Sequence, residues 1–326
     1  MATENDSKPD NWERDALTRL AFAAVNEQRR ARRWRIFFTF LFFLYAISVT
    51  FLVNPHILDT WIAEDEDIIV GGDKHTALIE IEGAITADSK TNADNIITGL
   101  RNAFKDKKTV GVILRINSPG GSPVQSGYIY DEIKRLRKKY PEIPLYAVVV
   151  DLCASGGYYI ASAADKIYAD KASLVGSIGV VLNGFGFVNT LDKLGVERRL
   201  YTAGDHKGFL DPFSPENPVE VEHIKKTLSQ VHEQFINMVK QGRGERLKYQ
   251  EHPELFSGLI WTGEQGIELG LVDALGSSSY VARDIFKAEK LVNFTPHNTL
   301  VERFAERFGA SAGGAVWESL QNMNLK

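Results

Sequence analysis

Two patterns of apolar spacing divide this chain. From Ile36 to Val53, eighteen residues run without a charge, rich in Phe and Leu, directly behind Arg29, Arg30, Arg32, Arg33 and Arg35. At ~1.5 Å per residue the run is about 27 Å long, close to the ~30 Å hydrocarbon core of a bilayer, so one transmembrane helix is predicted. The arginines should hold its N-terminal side in the cytoplasm, with Trp34 and Trp61 at the two interfaces. Because a cleaved signal has a shorter apolar region and a shorter start, the reading is an uncleaved anchor. The predicted organisation is a cytosolic tail (1–35), an anchor (36–58), an acidic linker (59–75) with Glu64, Asp65, Glu66 and Asp67, a folded domain (76–295) and a helical tail (296–326).

Beyond the linker, short continuous apolar runs alternate with longer amphipathic ones. Strands are predicted at Ala77–Ile81, Val110–Ile116, Leu145–Val150, Ile167–Ala169 and Glu197–Tyr201. Helices are predicted at Asn92–Phe104, Val124–Lys139, Gly156–Ala164, Val188–Leu194 and Val219–Gln241, the last ended by Gly242. A short helix stopped at Gly270 and a further strand follow. Runs such as Val-Gly-Val-Ile-Leu and Tyr-Ala-Val-Val-Val suit strands covered on both faces. The expected fold class is therefore α/β, a parallel sheet with right-handed crossovers and flanking helices. In the tail, Leu300, Phe304 and Phe308 share one helix face, for packing within the chain or against a neighbouring subunit.

Composition narrows the partners. With 326 residues and 44% hydrophobic side chains the chain can bury a large core. A formal net charge of -4 argues against nucleic acid as partner. Cys153 is the one cysteine, which excludes an intramolecular disulfide, and no Cys/His cluster has metal-ligand spacing, so neither a metal nor a cofactor is expected.

The candidate chemistry lies in two glycine turns that follow two buried strands, Asn117-Ser118-Pro119-Gly120-Gly121 and Cys153-Ala154-Ser155-Gly156-Gly157. In a parallel sheet both fall at the carboxyl edge, where sites form. Ser155 opens a helix, so it is either a helix cap or a nucleophile surrounded by free N–H groups. Gly156, with Gly120 or Gly121, would supply donors to an oxyanion. A serine nucleophile needs a base. His206 and Lys207 compete for that role in Tyr201-Thr-Ala-Gly-Asp-His-Lys-Gly-Phe-Leu. A lysine acts as base only when neutral, which a buried apolar site can enforce.

Four ordered motifs, Asn117-Ser-Pro-Gly-Gly, Ala154-Ser155-Gly-Gly-Tyr-Tyr-Ile-Ala, Gly176-Ser177-Ile-Gly-Val and Gly-Asp-His-Lys207, resemble the signal peptide peptidase A family, short form, over roughly residues 75 to 275. The resemblance implies a crotonase/Clp-protease-like fold and a serine endopeptidase with a Ser/Lys dyad. Ser155 corresponds to its nucleophile and Lys207, fifty-two residues later, to its base, with Ser177 orienting the lysine. It also implies a ring-like homo-oligomer at the bacterial cytoplasmic membrane, its catalytic domain outside the cytoplasm. Remnant signal peptides and other hydrophobic peptides would be its substrates. The alternatives are a catalytically silent membrane scaffold and a crotonase-like acyl-CoA enzyme. This chain departs from the family in its N-terminal extension and in having His206 beside the lysine.

Overall fold

The computed structural model describes residues 29–30, 32–45 and 74–296. The chain divides into two units, Met1–Asp67 and Ile68–Lys326. In the first, residues 32–45 are helical, with Ile36, Phe37, Phe40 and Phe43 exposed. Among the described residues no helix is long and apolar enough to cross a membrane. The rest of the predicted anchor, nearly all of the linker and the tail helix at 300–308 lie outside the described residues.

The second unit is a mixed α/β fold. Strands β1 (His75–Glu82), β2 (Thr109–Ser118) and β3 (Leu145–Ala154) pair in parallel and form the centre of the sheet. Their apolar runs are continuous because both faces are covered; Val112, Ile113 and Leu114 are all buried. Helices α1 (Ala93–Lys105) and α2 (Pro123–Lys139) make the crossovers. Asn92 caps α1 through the N–H of Asn95, and Ser122 caps α2 ahead of Pro123. Helix α1 buries Ala93, Ile96, Leu100, Ala103 and Phe104, spaced to lie on one face. Glu132 of α2 joins the two helices: hydrogen bonds from Arg135, then Arg101, hold its carboxyl down at about 2 despite burial.

After β3 come α3 (Gly156–Ala161), β4 (Lys166–Ala169), β5 (Leu174–Gly176), α4 (Val188–Lys193), α5 (Pro218–Arg243), β6 (Ile260–Thr262), α6 (Gly263–Glu268), β7 (Ala274–Leu275) and β8 (Leu291–Asn293). The sheet order is β6-β5-β3-β2-β1-β8, with β4 pairing both β3 and β7. Strand β3 therefore forks. Its first half, Tyr146–Val148, pairs with β4 and its last residues, Leu152–Ala154, pair with β5.

Three expectations need correction. The sheet is mostly rather than wholly parallel, since β6 runs antiparallel to β5; both strands are only three residues long and leave no periodic signal. Glu197–Tyr201 is not a strand. Among the described residues no backbone pairs with it, and Glu197 and Arg199 instead meet each other at the surface. Gly242 does not end the long helix, which continues to Arg243 and stops at Gly244, φ 58°. Gly242 is small for another reason: a side chain there would collide with the Ser162 carbonyl.

The end of α5 is locked to the sheet by a buried charge. Arg243, 1% exposed, donates from Nε to the Gly270 carbonyl (2.9 Å) and from both terminal nitrogens to Asp273 (2.7 and 3.0 Å). Burial alone would raise the Asp273 carboxyl, but the Arg243 hydrogen bonds and charge, the Ile167 N–H and Arg246 hold it below its ordinary value. Its contribution to stability is thus present above the unfolded carboxyl pKa and fades as pH falls below it. Replacing Arg243 by Met should destabilise the domain by about 3–5 kcal/mol, because Asp273 loses its main partner while remaining largely buried. Denaturant unfolding followed by tryptophan fluorescence measures this.

Candidate active site

Strands β2, β3 and β5 run parallel, so their carboxyl ends fall on one edge. Each ends in a turn that carries a candidate residue: Gly120 and Gly121 after β2, Ser155 after β3, Ser177 after β5. The turns touch. A Cβ placed on Gly120 would lie 2.6 Å from the Gly156 nitrogen and 2.7 Å from the Ser155 Cβ, and one on Gly156 would lie 3.2 Å from the Gly121 nitrogen. The Ser155 N–H donates to the Gly176 carbonyl at 2.9 Å, which fixes the nucleophile candidate against the turn that holds Ser177.

Ser155 precedes α3 but does not cap it. Its backbone has φ 50° and ψ −121°, and its hydroxyl makes no capping hydrogen bond. Ser177 is likewise at φ 50°. A left-handed conformation is uncommon outside glycine and is retained where surroundings impose it. The neighbouring serines are committed: Ser118 donates to the Gly83 carbonyl, Ser126 to Ser122, Ser162 to Tyr159 and Ser173 to Val150. Among the described residues, the hydroxyls of Ser155 and Ser177 have no such partner.

The backbone donors separate the two glycines that sequence left open. The Gly120 N–H is taken by the Ser118 hydroxyl at 3.1 Å. Those of Gly121 and Gly156 have no acceptor among the described residues. Free N–H groups flanking a hydroxyl are what binding of a tetrahedral oxyanion needs. Gly120, at φ 99°, is a spacer that lets the two turns approach, a position closed to any side chain.

Ser155, Gly156, Gly121 and Ser177 open into a cleft of about 930 Å³. One wall is the face of α2 bearing Val124, Tyr128 and Asp131; another is the face of α5 bearing Val231, Gln234 and Phe235. Tyr159, its ring tilted against that of Phe235 at 5.0 Å between centroids, also lines the cleft. His232 of α5 donates from Nε2 to the Ile178 carbonyl at 3.0 Å and so steadies the turn that follows Ser177. These wall residues were not singled out from sequence. The spacing Val124, Tyr128 and Asp131 is the one signal that would have pointed to a shared face.

Lys207 is not brought to this cleft within one chain. It is exposed, its ammonium has no partner among the described residues, and the cleft lining holds no residue between Val181 and Val231. His206, the competing base, is also exposed and pairs with Glu220 at 3.0 Å. Both sit on the segment from Val181 to Asn217, which packs on itself through Phe187 stacked on Phe213 and Arg198 paired with Asp211. That segment leaves Val181 and Phe185 each 81% and Tyr201 88% exposed.

Comparison with known proteins identifies the family. The family model for peptidase family S49 matches residues 137–293, a range that includes Ser155, Ser177 and Lys207. A protein of Brucella melitensis named Na(+)/H(+) antiporter NhaA is 45% identical over 215 residues, 66% of this chain and 29% of that protein. An Enterococcus faecium protein carrying the name signal peptide peptidase SppA is 34% identical over 214 residues, 66% of this chain and 61% of that one. A Synechocystis protein carrying the protease name slr0021 is 34% identical over 204 residues, 63% of this chain and 70% of that one. The chain belongs to peptidase family S49. It spans only 29% of the length of the Brucella relatives it matches.

Proposed function

We propose that this protein is a membrane-anchored serine endopeptidase that cleaves apolar, extended peptides, remnant signal peptides among them, outside the cytoplasmic membrane. The observation that carries this reading is the uncommitted hydroxyl of Ser155, held at φ 50° at the mouth of a cleft between two N–H groups without acceptors. Ser155 Oγ attacks the peptide carbonyl, and the N–H groups of Gly121 and Gly156 receive the developing oxyanion. A general base takes the serine proton and returns it to the leaving amine, which lets the acyl-enzyme form; water then releases the acyl group. No metal or cofactor takes part in this scheme.

Lys207 is the base in this reading, contributed to the cleft of a neighbouring copy. Two observations support the arrangement. Lys207 lies outside the cleft of its own chain, and the segment that carries it exposes large apolar side chains of the kind that mark subunit contacts. Burial of the lysine against a second copy would also supply the apolar surroundings in which a lysine loses its proton. Ser177, free and adjacent to Ser155, orients it. A ring of such copies satisfies every site, because a head-to-tail contact closes when the rotation closes.

The glycine assignment is testable by itself. Gly120→Ala should lower kcat for an apolar reporter peptide by about 10²-fold or more, since the added methyl displaces Ser155 and the Gly156 N–H together. Steady-state kinetics on the purified full-length protein, with circular dichroism as a control for folding, reads this out. Unchanged kcat would remove Gly120 from the account.

A further inference from the structure

The cleft lining mixes apolar side chains with Ser155, Ser177, Ser257 and Gln234, and Asp131 is its one charged lining residue among those described. Its carboxylate has no ion-pair or hydrogen-bond partner among the described residues. The negative charge is felt inside the cleft, since Asp131 adds to burial in raising the Tyr159 hydroxyl above its ordinary value. An exposed, unpaired carboxylate on the wall of a cleft with no other charged side chain among the described lining residues is a selectivity element.

Its position along the channel follows from the helix. Gly156 abuts Ser126 in the first turn of α2, so the reacting end of the cleft lies there. Asp131 stands five residues beyond Ser126 and eight beyond Pro123, which is roughly 8–12 Å along the axis, or about three residues of an extended peptide. We infer that Asp131 makes the cleft select peptides that carry a cationic side chain about three residues from the scissile bond, within an otherwise apolar sequence. The inference rests on the peptidase reading and adds a second element to its substrate class, a lysine or arginine at fixed distance from the cleaved bond.

The test compares apolar peptides that differ only in lysine against norleucine, placed in turn at positions two to five on either side of the scissile bond. In the wild-type protein, kcat/KM should favour lysine by about three- to fivefold at one position, the range expected of a solvent-accessible ion pair. The preference should shrink in high salt. It should vanish in Asp131→Asn and turn toward glutamate over norleucine in Asp131→Lys. A ratio of one at every position in the wild type, or a lysine preference that survives in Asp131→Asn, overturns the inference. Binding of the same fluorescent peptides to a Ser155→Ala background reads the preference without turnover. Absence of hydrolysis would therefore count against the peptidase reading, while the binding ratio still decides the role of Asp131.

Discussion

Replacing Ser155 by alanine is expected to lower peptide hydrolysis by about 10⁴-fold or more while leaving peptide binding and the melting transition nearly unchanged. The size of the effect follows from the role: without Oγ no acyl-enzyme forms, and only the oxyanion donors and substrate positioning remain. The folded state should tolerate the change well, because the hydroxyl has no partner to lose. Alanine also has to hold φ near 50° there, so any stability change should reflect that backbone alone. A committed cap would behave otherwise, losing about 1 kcal/mol of stability and no activity. Single-turnover kinetics and thermal unfolding on the same preparation separate the two cases. Residual activity within tenfold of wild type would remove Ser155 as nucleophile and favour a protein that only binds peptides.

The second large effect is expected at Lys207. Lys207→Ala should reduce kcat by about 10³–10⁴-fold with little change in KM, since a proton carrier acts in the transition state rather than in binding. Lys207→Arg should not restore activity, because a guanidinium keeps its charge and cannot accept the serine proton. In a single chain Lys207 is exposed and outside the cleft, so neither substitution should alter the stability of an isolated copy. If Arg restored activity, the role of Lys207 would be one of charge or contact, and the base would have to be sought elsewhere.

Much of the sheet was legible because β2 and β3 are continuous apolar runs and α1, α2 and α5 carry clear faces and caps. The short strands were not. β5 and β6 have three residues each, too few for a period, yet β5 is what brings Ser177 beside Ser155. The apparent strand Glu197–Tyr201 shows the converse: favourable residues make a strand only where a partner backbone waits, and among the described residues none does. Gly242 read as a stop because glycine ends helices, whereas here it permits α5 to pass the Ser162 carbonyl.

At the site, Ser155 was found through its place after a buried strand, but its freedom from capping is a matter of φ and of hydrogen bonds that sequence does not display. The choice of Gly121 over Gly120 required knowing that the Ser118 hydroxyl occupies one N–H. Lys207 came from family resemblance alone, and no spacing rule could have said that it would stand apart from the cleft of its own chain. Asp131 and Phe235 were invisible for a different reason. They lie on helices about a hundred positions apart, and only the packing of α2 and α5 around Ser155 makes them walls of one channel.

The most direct test of the composite site is to co-express Ser155→Ala and Lys207→Ala copies with different tags and to isolate assemblies that contain both. Each variant alone should be inactive. If Ser155 of one copy works with Lys207 of its neighbour, random mixing leaves about a quarter of the sites with both groups intact, so the mixed assembly should recover about a quarter of wild-type activity. Mixed assemblies no more active than either variant alone would contradict a site shared between copies.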